Sequence, residues 1–328
     1  MEKTILVFID GTICDTRQHH HLINTDLFDQ PEQILKDLAV PGSAACLQRL
    51  SRQYKIIYLG ARQPIALQAT RQWLVDQGFP RGAVYLGETH EDRLKITANL
   101  IDKYDFLAGI GDRWDDNELH TELGCMSIIL QEFEGAWDQV YDRLEQHHRK
   151  LKIKENRHHL EGKIEGLARV CPLLLSKFGD KLWETYHQSV HDLAENTRQE
   201  RRIEDLKALK RYHLDPSVLS DIARWYELER EEDWQNNPVY GLQENEIIES
   251  NGGRLVNRVS RCYYAELWRQ RGLPEIGYQI HCRTDTAWWD RPAWNPEVRF
   301  EQPKTLMQGD DCCIFIQYLP VTGEDKDA

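Results

Sequence analysis

The sequence of 328 residues is 41% hydrophobic and 29% charged, which is typical of globular proteins and, at roughly 150 residues per domain, predicts two domains. The net charge of −13, without a basic stripe, argues against nucleic acid or an acidic membrane as a partner. No apolar run approaches the roughly 18 residues of a membrane span, so we expect a cytoplasmic protein. Its eight cysteines should then be reduced thiols.

Short apolar runs alternate with helical patterns over residues 1–138. The predicted strands are Ile5–Ile9, Lys55–Leu59, Ala83–Leu86, Phe106–Ile110 and Met126–Leu130. The predicted helices lie around Ala44–Arg52, Pro64–Gln77, Asp92–Tyr104 and Asp115–Leu123. Such alternation, with nearly continuous apolar strands, indicates a parallel sheet covered by helices on both faces. We therefore expect a doubly wound α/β domain here.

Residues 139–328 are predicted to be a helical segment followed by an α+β domain. Apolar residues at helical spacing predict helices from Trp137 to about His213, interrupted at Pro172 because proline lacks the N–H that a helix interior needs. The elements predicted after them are a helix at Pro216–Glu229, a hairpin of Ile247–Glu249 and Arg254–Ser260, helices at Tyr263–Arg271 and Glu275–Asp285, and strands at Glu297–Glu301 and Cys313–Tyr318. Thr322–Ala328 are predicted to be a frayed tail.

Polar residues follow the predicted strands of the N-terminal domain. They are Asp10, Thr12, Arg62, Asp112 and Asp116, with Lys95 on an intervening helix. Strand ends of open α/β sheets present their groups to the ligand crevice. Carboxylates with a lysine between them can hold a divalent cation and a phosphate. Asp10, Asp112 and Asp116 are therefore candidate ligands for a weakly bound Mg²⁺.

The segments around these residues resemble the four motifs of the haloacid dehalogenase-like (HAD) superfamily, most closely its polynucleotide-kinase-type phosphatases. The segments are Val7-Phe8-Ile9-Asp10-Gly11-Thr12, Tyr58-Leu59-Gly60-Ala61-Arg62, Lys95, and Gly111-Asp112 with Asp116. The resemblance implies that Asp10 is the general acid/base, Lys95 the charge-balancing lysine, and Asp112 and Asp116 the metal carboxylates.

Two positions depart from the HAD pattern. Phe8 stands where the family has its aspartate nucleophile, and Gly60 stands where it has a serine or threonine. A phenyl ring cannot attack phosphorus, so covalent catalysis loses its first step. We therefore expect this domain to be catalytically inactive and to serve as a scaffold.

Four cysteines near the C-terminus lie among polar residues: Cys262, Cys282, Cys312 and Cys313. Reactive thiols usually lie in polar, electropositive surroundings, whereas structural thiols lie among apolar side chains. Two alternatives stay open. His281, Cys282, Cys312 and Cys313 could bind zinc, although adjacent pairs do not match the usual Cys-x₂₋₄-Cys spacing. The adjacent Cys312 and Cys313 could instead form a redox disulfide.

The C-terminal domain looks like the L-2-amino-thiazoline-4-carboxylic acid hydrolase family over about residues 160–319. The segments that carry the resemblance are 257–267, 272–278, His281-Cys282-Arg283-Thr284-Asp285 and Gly309-Asp310-Asp311-Cys312-Cys313-Ile314-Phe315. The last segment also resembles vinyl-reductase-type small-ligand-binding domains. The first resemblance implies the opening of a cyclic isothiourea, which needs a nucleophile, a proton donor and an anion for the amidinium group.

The resemblance implies a role for each polar residue of these segments. Cys313 is the expected nucleophile, and a cation from Arg261, Arg283 or His281 should lower its thiol pKa. In the alternative, water attacks directly and Asp285 is its base. Asp285 and Asp310 hold the amidine or carry protons, Cys262 and Cys282 complete the pocket, and Arg261 and His281 bind the substrate. We expect Cys262, Cys282 and Cys313 to share one pocket.

These features predict a hydrolase that opens a C–N bond of a small cyclic amidine or thiazoline-type amino-acid derivative. Two other classes stay open, a small-molecule-binding or scaffold protein without turnover and a HAD-type phosphatase. The expected partner is a small molecule, with no cofactor beyond weakly bound Mg²⁺, and a homo-oligomer is possible.

Overall fold

The computed structural model describes residues 2–320 apart from residues 23, 24 and 26, so the predicted tail at Thr322–Ala328 lies outside the described residues. The chain divides into two compact units, residues 1–148 and residues 149–328. The division lies C-terminal to the predicted boundary at residue 138 and within a long helix. In the described part of the chain, no helix is both long and apolar enough to cross a membrane.

Short strands and helices alternate through the first unit. Its strands are β1 (Lys3–Phe8), β2 (Cys14–Asp15), β3 (Leu38–Ala39), β4 (Lys55–Gly60), β5 (Ala83–Leu86), β6 (Asp105–Gly111) and β7 (Met126–Ile129). Its helices are α1 (Pro31–Ile34), α2 (Ser43–Leu50), α3 (Leu67–Asp76), α4 (His90–Ala98) and α5 (Trp114–Glu122). Five strands pair in parallel in the order β5-β4-β1-β6-β7. The predicted α/β sheet is confirmed.

Strand β1 is buried on both faces, which explains its continuous apolar sequence. Val7 belongs to one apolar cluster and Phe8 to another. The strand lies between β4 and β6, with Phe8 opposite Leu59 and Val7 opposite Ile110. The carboxyl ends of these three strands therefore lie side by side, and the polar residues that follow them are Asp10, Arg62 and Asp112.

Helix α4 begins and ends earlier than predicted because local hydrogen bonds set its ends. The Thr89 hydroxyl accepts the N–H of Asp92 at 3.1 Å, and the Asp92 carboxylate accepts the N–H of Thr89 at 3.2 Å. This capping box satisfies backbone donors that would otherwise lack partners. At the other end, the Asn99 side chain donates to the carbonyl of Lys95 at 2.8 Å.

The second unit combines helices with an antiparallel sheet. Helix α6 (Trp137–Phe178) enters it from the first unit, and α7 (Lys181–Asn196), α8 (Arg198–Arg211), α9 (Leu219–Glu232), α10 (Tyr263–Gln270), α11 (Pro274–Gly277) and α12 (Asp285–Trp289) follow. The strands are β8 (Gln243–Ser250), β9 (Arg254–Cys262), β10 (Arg299–Lys304) and β11 (Cys313–Tyr318), in the order β10-β11-β9-β8. This is the predicted α+β architecture.

The predicted interruption of helix α6 at Pro172 is wrong. The helix continues through Pro172 and ends at Phe178, before Gly179 with its positive φ of 57°. Glycine adopts this left-handed conformation without steric cost and commonly ends helices. Ile164 and Cys171, N-terminal to the proline, are buried in one apolar cluster with residues of α10. Tertiary packing therefore offsets the hydrogen bond that Pro172 cannot make.

A β-bulge in β9 changes which side chains face each side of the sheet. Asn245 of β8 pairs with Val259, but Glu244 pairs with Arg261, so Ser260 is an extra residue in β9. Strict alternation would place Arg261 on the same face as Val259. The extra residue turns Arg261 to the other face and puts Cys262 in its place.

The predicted helix at Glu275–Asp285 is three separate segments. Helix α11 is a single turn, the π-helical turn Tyr278–Cys282 follows, and α12 begins at Asp285. A π-turn adds a residue relative to an α-helix and so rotates the side chains that follow it. His281 and Cys282 lie in this turn.

Candidate functional site

A cavity of about 960 Å³ lies in the second unit. One wall is a face of the antiparallel sheet, where alternate residues such as Asn257 of β9 and Phe315 of β11 point inward. Helices α8, α9 and α12 and residues 236–241 provide the remaining walls. Enclosures of roughly 300–1,000 Å³ with an apolar lining and a few convergent polar groups are the usual form of small-molecule sites.

Three cysteines line this cavity, as predicted. They are Cys262 at the end of β9, Cys282 in the π-turn and Cys313 at the start of β11, and together we call them the thiol cluster. The hydroxyl of the buried Thr305 lies 3.4 Å from the sulfur of Cys282, to which it donates, and 3.9 Å from the sulfur of Cys313. The fold thus joins three segments that are far apart in sequence.

The thiols of the cluster are protonated at neutral pH. Burial raises the pKa of Cys282 to about 12 and that of Cys313 to about 11. The N–H of Leu306 donates to the sulfur of Cys313 at 3.2 Å, which opposes the rise without cancelling it. Burial also raises the pKa of Cys262. These environments favour the neutral thiol, not a thiolate nucleophile.

Asp285, the first residue of α12, lines the same cavity. Burial raises its pKa from 3.8 to about 7, and the side-chain amide of Gln302, at 3.4 Å, opposes the rise. The negative charge of Asp285 acts on Cys262, Cys282 and Cys313, whose pKa values it raises. A carboxyl group with a pKa near neutrality can both accept and donate a proton at physiological pH.

His281 also faces the cavity. Burial lowers its pKa to about 4, so its imidazole is neutral. The ring packs edge-on against Tyr264 with centroids 4.8 Å apart, and Nε2 has no hydrogen-bond partner among the residues described. A neutral ring nitrogen without a partner can bind a ligand but cannot supply a positive charge.

The predicted cation beside Cys313 does not come from any of its three candidates. Arg261 points to solvent because of the bulge, and it pairs with Glu266 at 2.6 Å. Arg283 is exposed and donates to Gln279 at 3.2 Å. His281 is neutral. The predictions that Arg261 clamps the substrate and that a cation lowers the pKa of Cys313 are therefore corrected.

Asp310 is a turn residue and does not face the cavity. Its side chain is exposed, and its carboxylate accepts the N–H of Thr305 at 2.8 Å. This bond closes the loop that carries Thr305 and Leu306 to the thiol cluster. The predicted contact of Asp310 with the substrate is therefore corrected, because its carboxylate is used by the backbone of its own loop.

The metal and disulfide alternatives for the cysteines find no support. Cys312 and Cys313 are free thiols, and Cys313 lines the cavity whereas Cys312 interacts with Asp311 at 3.6 Å. Cys312 is not among the residues that line this cavity, so it does not join His281, Cys282 and Cys313 there. Across residues 2–320, as far as they are described, no three His, Cys, Asp or Glu side chains are placed to hold a metal ion.

Several cavity residues were not among the site residues predicted from the sequence. Asn257 and Gln317 line the cavity from β9 and β11, and Asp205 and Glu229 line it from α8 and α9. Alternation along β11 is a signal that could have found Gln317, because Cys313 and Gln317 have to share one face. No such pattern in the sequence identifies Asp205, because its place in the cavity wall depends on how α8 packs against the rest of the second unit.

In the first unit, Asp10 is bound by a buried arginine. Arg62 is 1% exposed, and its Nε and Nη2 both lie 2.7 Å from an oxygen of Asp10. The other oxygen of Asp10 accepts the N–H of Ala61 at 3.0 Å. Arg62 also donates to Thr70 and Cys14 at 3.2 Å each. The predicted acid/base group is therefore fully hydrogen-bonded within the protein.

The other two carboxylates of the predicted Mg²⁺ site are also engaged. Asp112 accepts a hydrogen bond from Thr12, and burial raises its pKa to about 7. Asp116 accepts the N–H groups of Asp112 and Arg113 at 3.0 Å each, which caps helix α5. The predicted site thus has no preformed set of three ligands among the residues described.

Lys95 does not face these carboxylates. Its side chain is exposed and forms an ion pair with Glu91 at 3.5 Å. The buried Arg93, on the same helix, is instead influenced by the charges of Asp116, Asp115 and Asp10. Residues two apart on a helix point to nearly opposite sides. The assignment of Lys95 as the charge-balancing residue is corrected for that reason.

Phe8 packs within an apolar cluster. Its ring is 4% exposed and lies edge-on to His120, with centroids 5.4 Å apart. Leu59 and Leu119 belong to the same cluster. A side chain in this position contributes no polar atom, and the loss of the nucleophile stays a prediction from sequence.

The second unit contains a cavity lined by titratable groups, and most of this unit matches a known family. Residues 168–316 match the model of the family described as L-2-amino-thiazoline-4-carboxylic acid hydrolase, a span of less than half of the chain. The match indicates hydrolase activity for this region. No curated protein is similar enough in sequence to be counted as a relative.

The N-terminal part is similar to solved phosphatase-type structures at low identity. A class C acid phosphatase from Bacillus anthracis with bound tungstate is 21% identical, covering 42% of this chain and 70% of that one, with a TM-score of 0.33. A haloacid dehalogenase-like hydrolase from Streptococcus pneumoniae is 14% identical, with coverages of 43% and 90% and a TM-score of 0.33. A chain of a Pnkp1/Rnl/Hen1 complex is 19% identical, covering 40% of this chain and 47% of that one, with a TM-score of 0.33. The present chain therefore spans about half of the length of that structure. No activity follows from similarity at these scores.

Proposed function

We propose that the second unit is a hydrolase that opens a C–N bond of a small cyclic amidine or thiazoline-type amino-acid derivative. The observation that supports this most directly is the meeting of Asp285, three neutral thiols and a neutral histidine in one cavity. The cavity belongs to the region that matches the hydrolase family. A ring-opening hydrolysis needs one group that takes a proton from water and returns it to the leaving nitrogen.

In the proposed reaction, Asp285 is that proton carrier. Water adds to the amidine carbon and gives a proton to the Asp285 carboxylate. The ring nitrogen of the protonated amidine already carries one hydrogen, so the ring C–N bond then breaks as this nitrogen receives the proton from Asp285 and becomes an amine. The hydroxyl group of the adduct gives its proton back to Asp285 as it becomes the carbonyl, and Asp285 passes this proton to the amine. One water molecule is consumed, and the product is the open-chain carbamoyl compound. The high thiol pKa of Cys313 favours this direct attack by water over a thiolate nucleophile.

The remaining cavity groups hold the substrate in the proposed reaction. Nε2 of His281 is without a partner and is placed to accept or donate one hydrogen bond. Cys262, Cys282 and Cys313 provide a weakly polar surface that excludes water and keeps the pKa of Asp285 high. The first unit is proposed to be a scaffold, because Asp10 and Asp116 are already bound by Arg62 and by the start of α5.

Replacement of Asp285 by asparagine tests the proposal. With 2-amino-thiazoline-4-carboxylate as substrate and mass spectrometry of the product, Asp285→Asn should reduce turnover at least about 100-fold, the usual contribution of a general acid/base. Asp311→Asn is the matched control and should stay within about twofold of the wild type, because Asp311 is exposed and does not line the cavity. Equal turnover by wild type and Asp285→Asn would refute the proposal. Binding without any product would favour the non-catalytic alternative.

A further inference from the structure

We infer that the cavity contains a second subsite, formed by Asp205 and Glu229, which binds the protonated amine of a substrate larger than a single ring. We call these two carboxylates the acidic subsite. The inference rests on the proposed function only for the position of the reactive group, Asp285. It therefore adds the class of substrate: a ring to be opened, joined to an organic cation.

The size of the cavity is the first argument. A volume of about 960 Å³ lies near the upper end of the range of roughly 300–1,000 Å³ that holds drug-sized ligands. A single five-membered ring with one carboxylate fills only a minor part of such a space. A substrate that buries the whole lining extends well beyond the ring that Asp285 acts on.

The second argument is the charge of the acidic subsite. Asp205 of α8 and Glu229 of α9 are both half-buried in the cavity wall. Burial raises the pKa of both carboxyls, and the charge of Glu229 raises the pKa of Asp205 further, to about 6. A cation between two such carboxylates relieves their repulsion and forms charge-assisted hydrogen bonds.

Arg201 does not already fill this role. It lies over the ring of Trp288, with 4.7 Å from its guanidinium carbon to the ring centroid. Its Nη2 donates to the carbonyl of Ala194 at 2.7 Å, and its Nε to the hydroxyl of Thr197 at 3.3 Å. It thus lowers the pKa of Asp205 from a distance while its own hydrogen bonds go elsewhere.

The acidic subsite and Asp285 lie on different elements of the cavity wall. Asp285 begins α12 and accepts a hydrogen bond from Gln302 of β10, whereas Asp205 and Glu229 lie on α8 and α9. The charges of Asp205 and Glu229 raise the pKa of Tyr226. Two sets of carboxyls on different walls of one cavity suit the two ends of an extended substrate.

Unpaired polar atoms of the sheet supply an independent sign of a ligand. Gln317 is only 4% exposed, yet its Nε2 has no hydrogen-bond partner among the residues that the structure describes, while its Oε1 lies 3.4 Å from the hydroxyl of Tyr226. Oδ1 of Asn257, also in the cavity wall, is likewise unpaired. Unpaired buried polar atoms are costly. One ligand group with an acceptor for Gln317 and a donor for Asn257 would satisfy both.

Aromatic rings complete the environment of an organic cation. Tyr226 and Trp289 meet edge to face with centroids 6.0 Å apart, and Trp288 precedes Trp289 on α12. All three line the cavity. Aromatic faces attract cations, most strongly where water is excluded. Carboxylates beside aromatic rings are the combination that recognises an alkyl ammonium group.

The inference is tested by binding two probes that differ only in charge. Phenethylamine carries an ammonium group, and 2-phenylethanol has a hydroxyl in its place. By calorimetric titration at pH 8, the wild type should bind phenethylamine at least about tenfold more tightly than 2-phenylethanol, as expected for a charge-assisted hydrogen bond. Asp205→Asn and Glu229→Gln should each remove most of this preference. Glu231→Gln, the same change on the exposed side of α9, should keep it.

The outcomes separate this inference from the proposed hydrolysis. Equal affinity for the two probes, or a preference that survives the double variant Asp205→Asn/Glu229→Gln, overturns the acidic subsite. Loss of the preference in Asp285→Asn would place the cation at the reactive group and overturn it too. Because the titration involves no turnover, the subsite stands if the preference is found and hydrolysis is not. Circular dichroism of each variant verifies that it is folded.

Discussion

Both units contain buried carboxyl groups, but the protein uses them differently. In the first unit, Asp10 and Asp116 are paired with Arg62 and with the N–H groups that begin α5. In the second unit, Asp285 has only a 3.4 Å contact with Gln302, and it faces an open cavity. A carboxyl satisfied within the fold stabilises it, whereas a buried carboxyl with few partners is available to a ligand. Asp112 is the exception in the first unit, because burial raises its pKa to about 7 and its Oδ2 has no hydrogen-bond partner among the described residues.

The largest expected effect is the loss of Arg62. Arg62→Met leaves Asp10 buried without its partner, and breaking such a pair costs about 3–5 kcal/mol. The free energy of unfolding from urea titration should fall by this amount. Arg71→Met removes an exposed arginine of α3 and should change it by less than about 0.5 kcal/mol. Equal stability of both variants would mean that the carboxylates of the first unit do not depend on Arg62.

A smaller effect is expected from Asp285 on the pH dependence of stability. Its pKa of about 7 lies above the unfolded value of 3.8, so the folded state binds more protons between these values. Asp285 therefore makes its full contribution to the stability of the fold below about pH 4, and this contribution is lost as the pH rises from about 4 to 7. Asp285→Asn lacks this loss, so its stability relative to the wild type should rise by about 2.6 kcal/mol between pH 5 and pH 8.

Thermal unfolding at pH 5 and pH 8 measures this difference. If Asp285→Asn follows the wild type at both pH values, then the carboxyl of Asp285 is not destabilised by burial, and its assignment as the proton carrier loses its physical basis.

Cys313→Ser should have a modest effect, because its thiol is protonated at neutral pH. Turnover should remain within about threefold of the wild type, and iodoacetamide should label Cys313 slowly at pH 8, as expected for a thiol with a pKa of about 11. Cys312→Ser is the neighbouring control. A loss of more than about 100-fold together with rapid labelling would restore Cys313 as the nucleophile.

No effect at all is expected for phosphate esters. With p-nitrophenyl phosphate and Mg²⁺, the protein should show no turnover above that of an Asp10→Asn variant, because position 8 is a phenylalanine and Asp10 is bound to Arg62. A rate that Asp10→Asn abolishes would show that the first unit is an active phosphatase and would reverse the comparison between the units.

The sequence was informative where one segment determines structure locally. The continuous apolar run of β1 predicted a buried parallel strand, and the polar motifs around Cys262, Cys282 and Cys313 predicted a shared pocket. The failures came from geometry that a motif does not contain. Lys95 matches the position of the charge-balancing lysine in the HAD motifs, yet α4 exposes Lys95 to solvent and buries Arg93. Pro172 predicted an interruption of the helix, yet the packing of the residues before it keeps α6 continuous.

The acidic subsite lay beyond reach of the sequence for a related reason. Asp205 and Glu229 are separated by a loop between two charged helices, and many acidic residues of those helices face solvent. Which of them face the cavity depends on the rotation of α8 and α9 against the sheet. Helical periodicity predicts which face of a helix is buried. It does not predict that a carboxylate at the edge of that face lines the same cavity as a carboxylate of another helix.

The bulge at Ser260 decides which side chain of β9 meets the cavity. If Ser260 were paired as an ordinary residue of the strand, Arg261 would take the side of the sheet that Cys262 now occupies. A neutral wall would become a cationic one without any change in the residues themselves. The way in which β9 pairs with β8 therefore sets the charge of this wall, and with it the charge of the substrate that the cavity accepts.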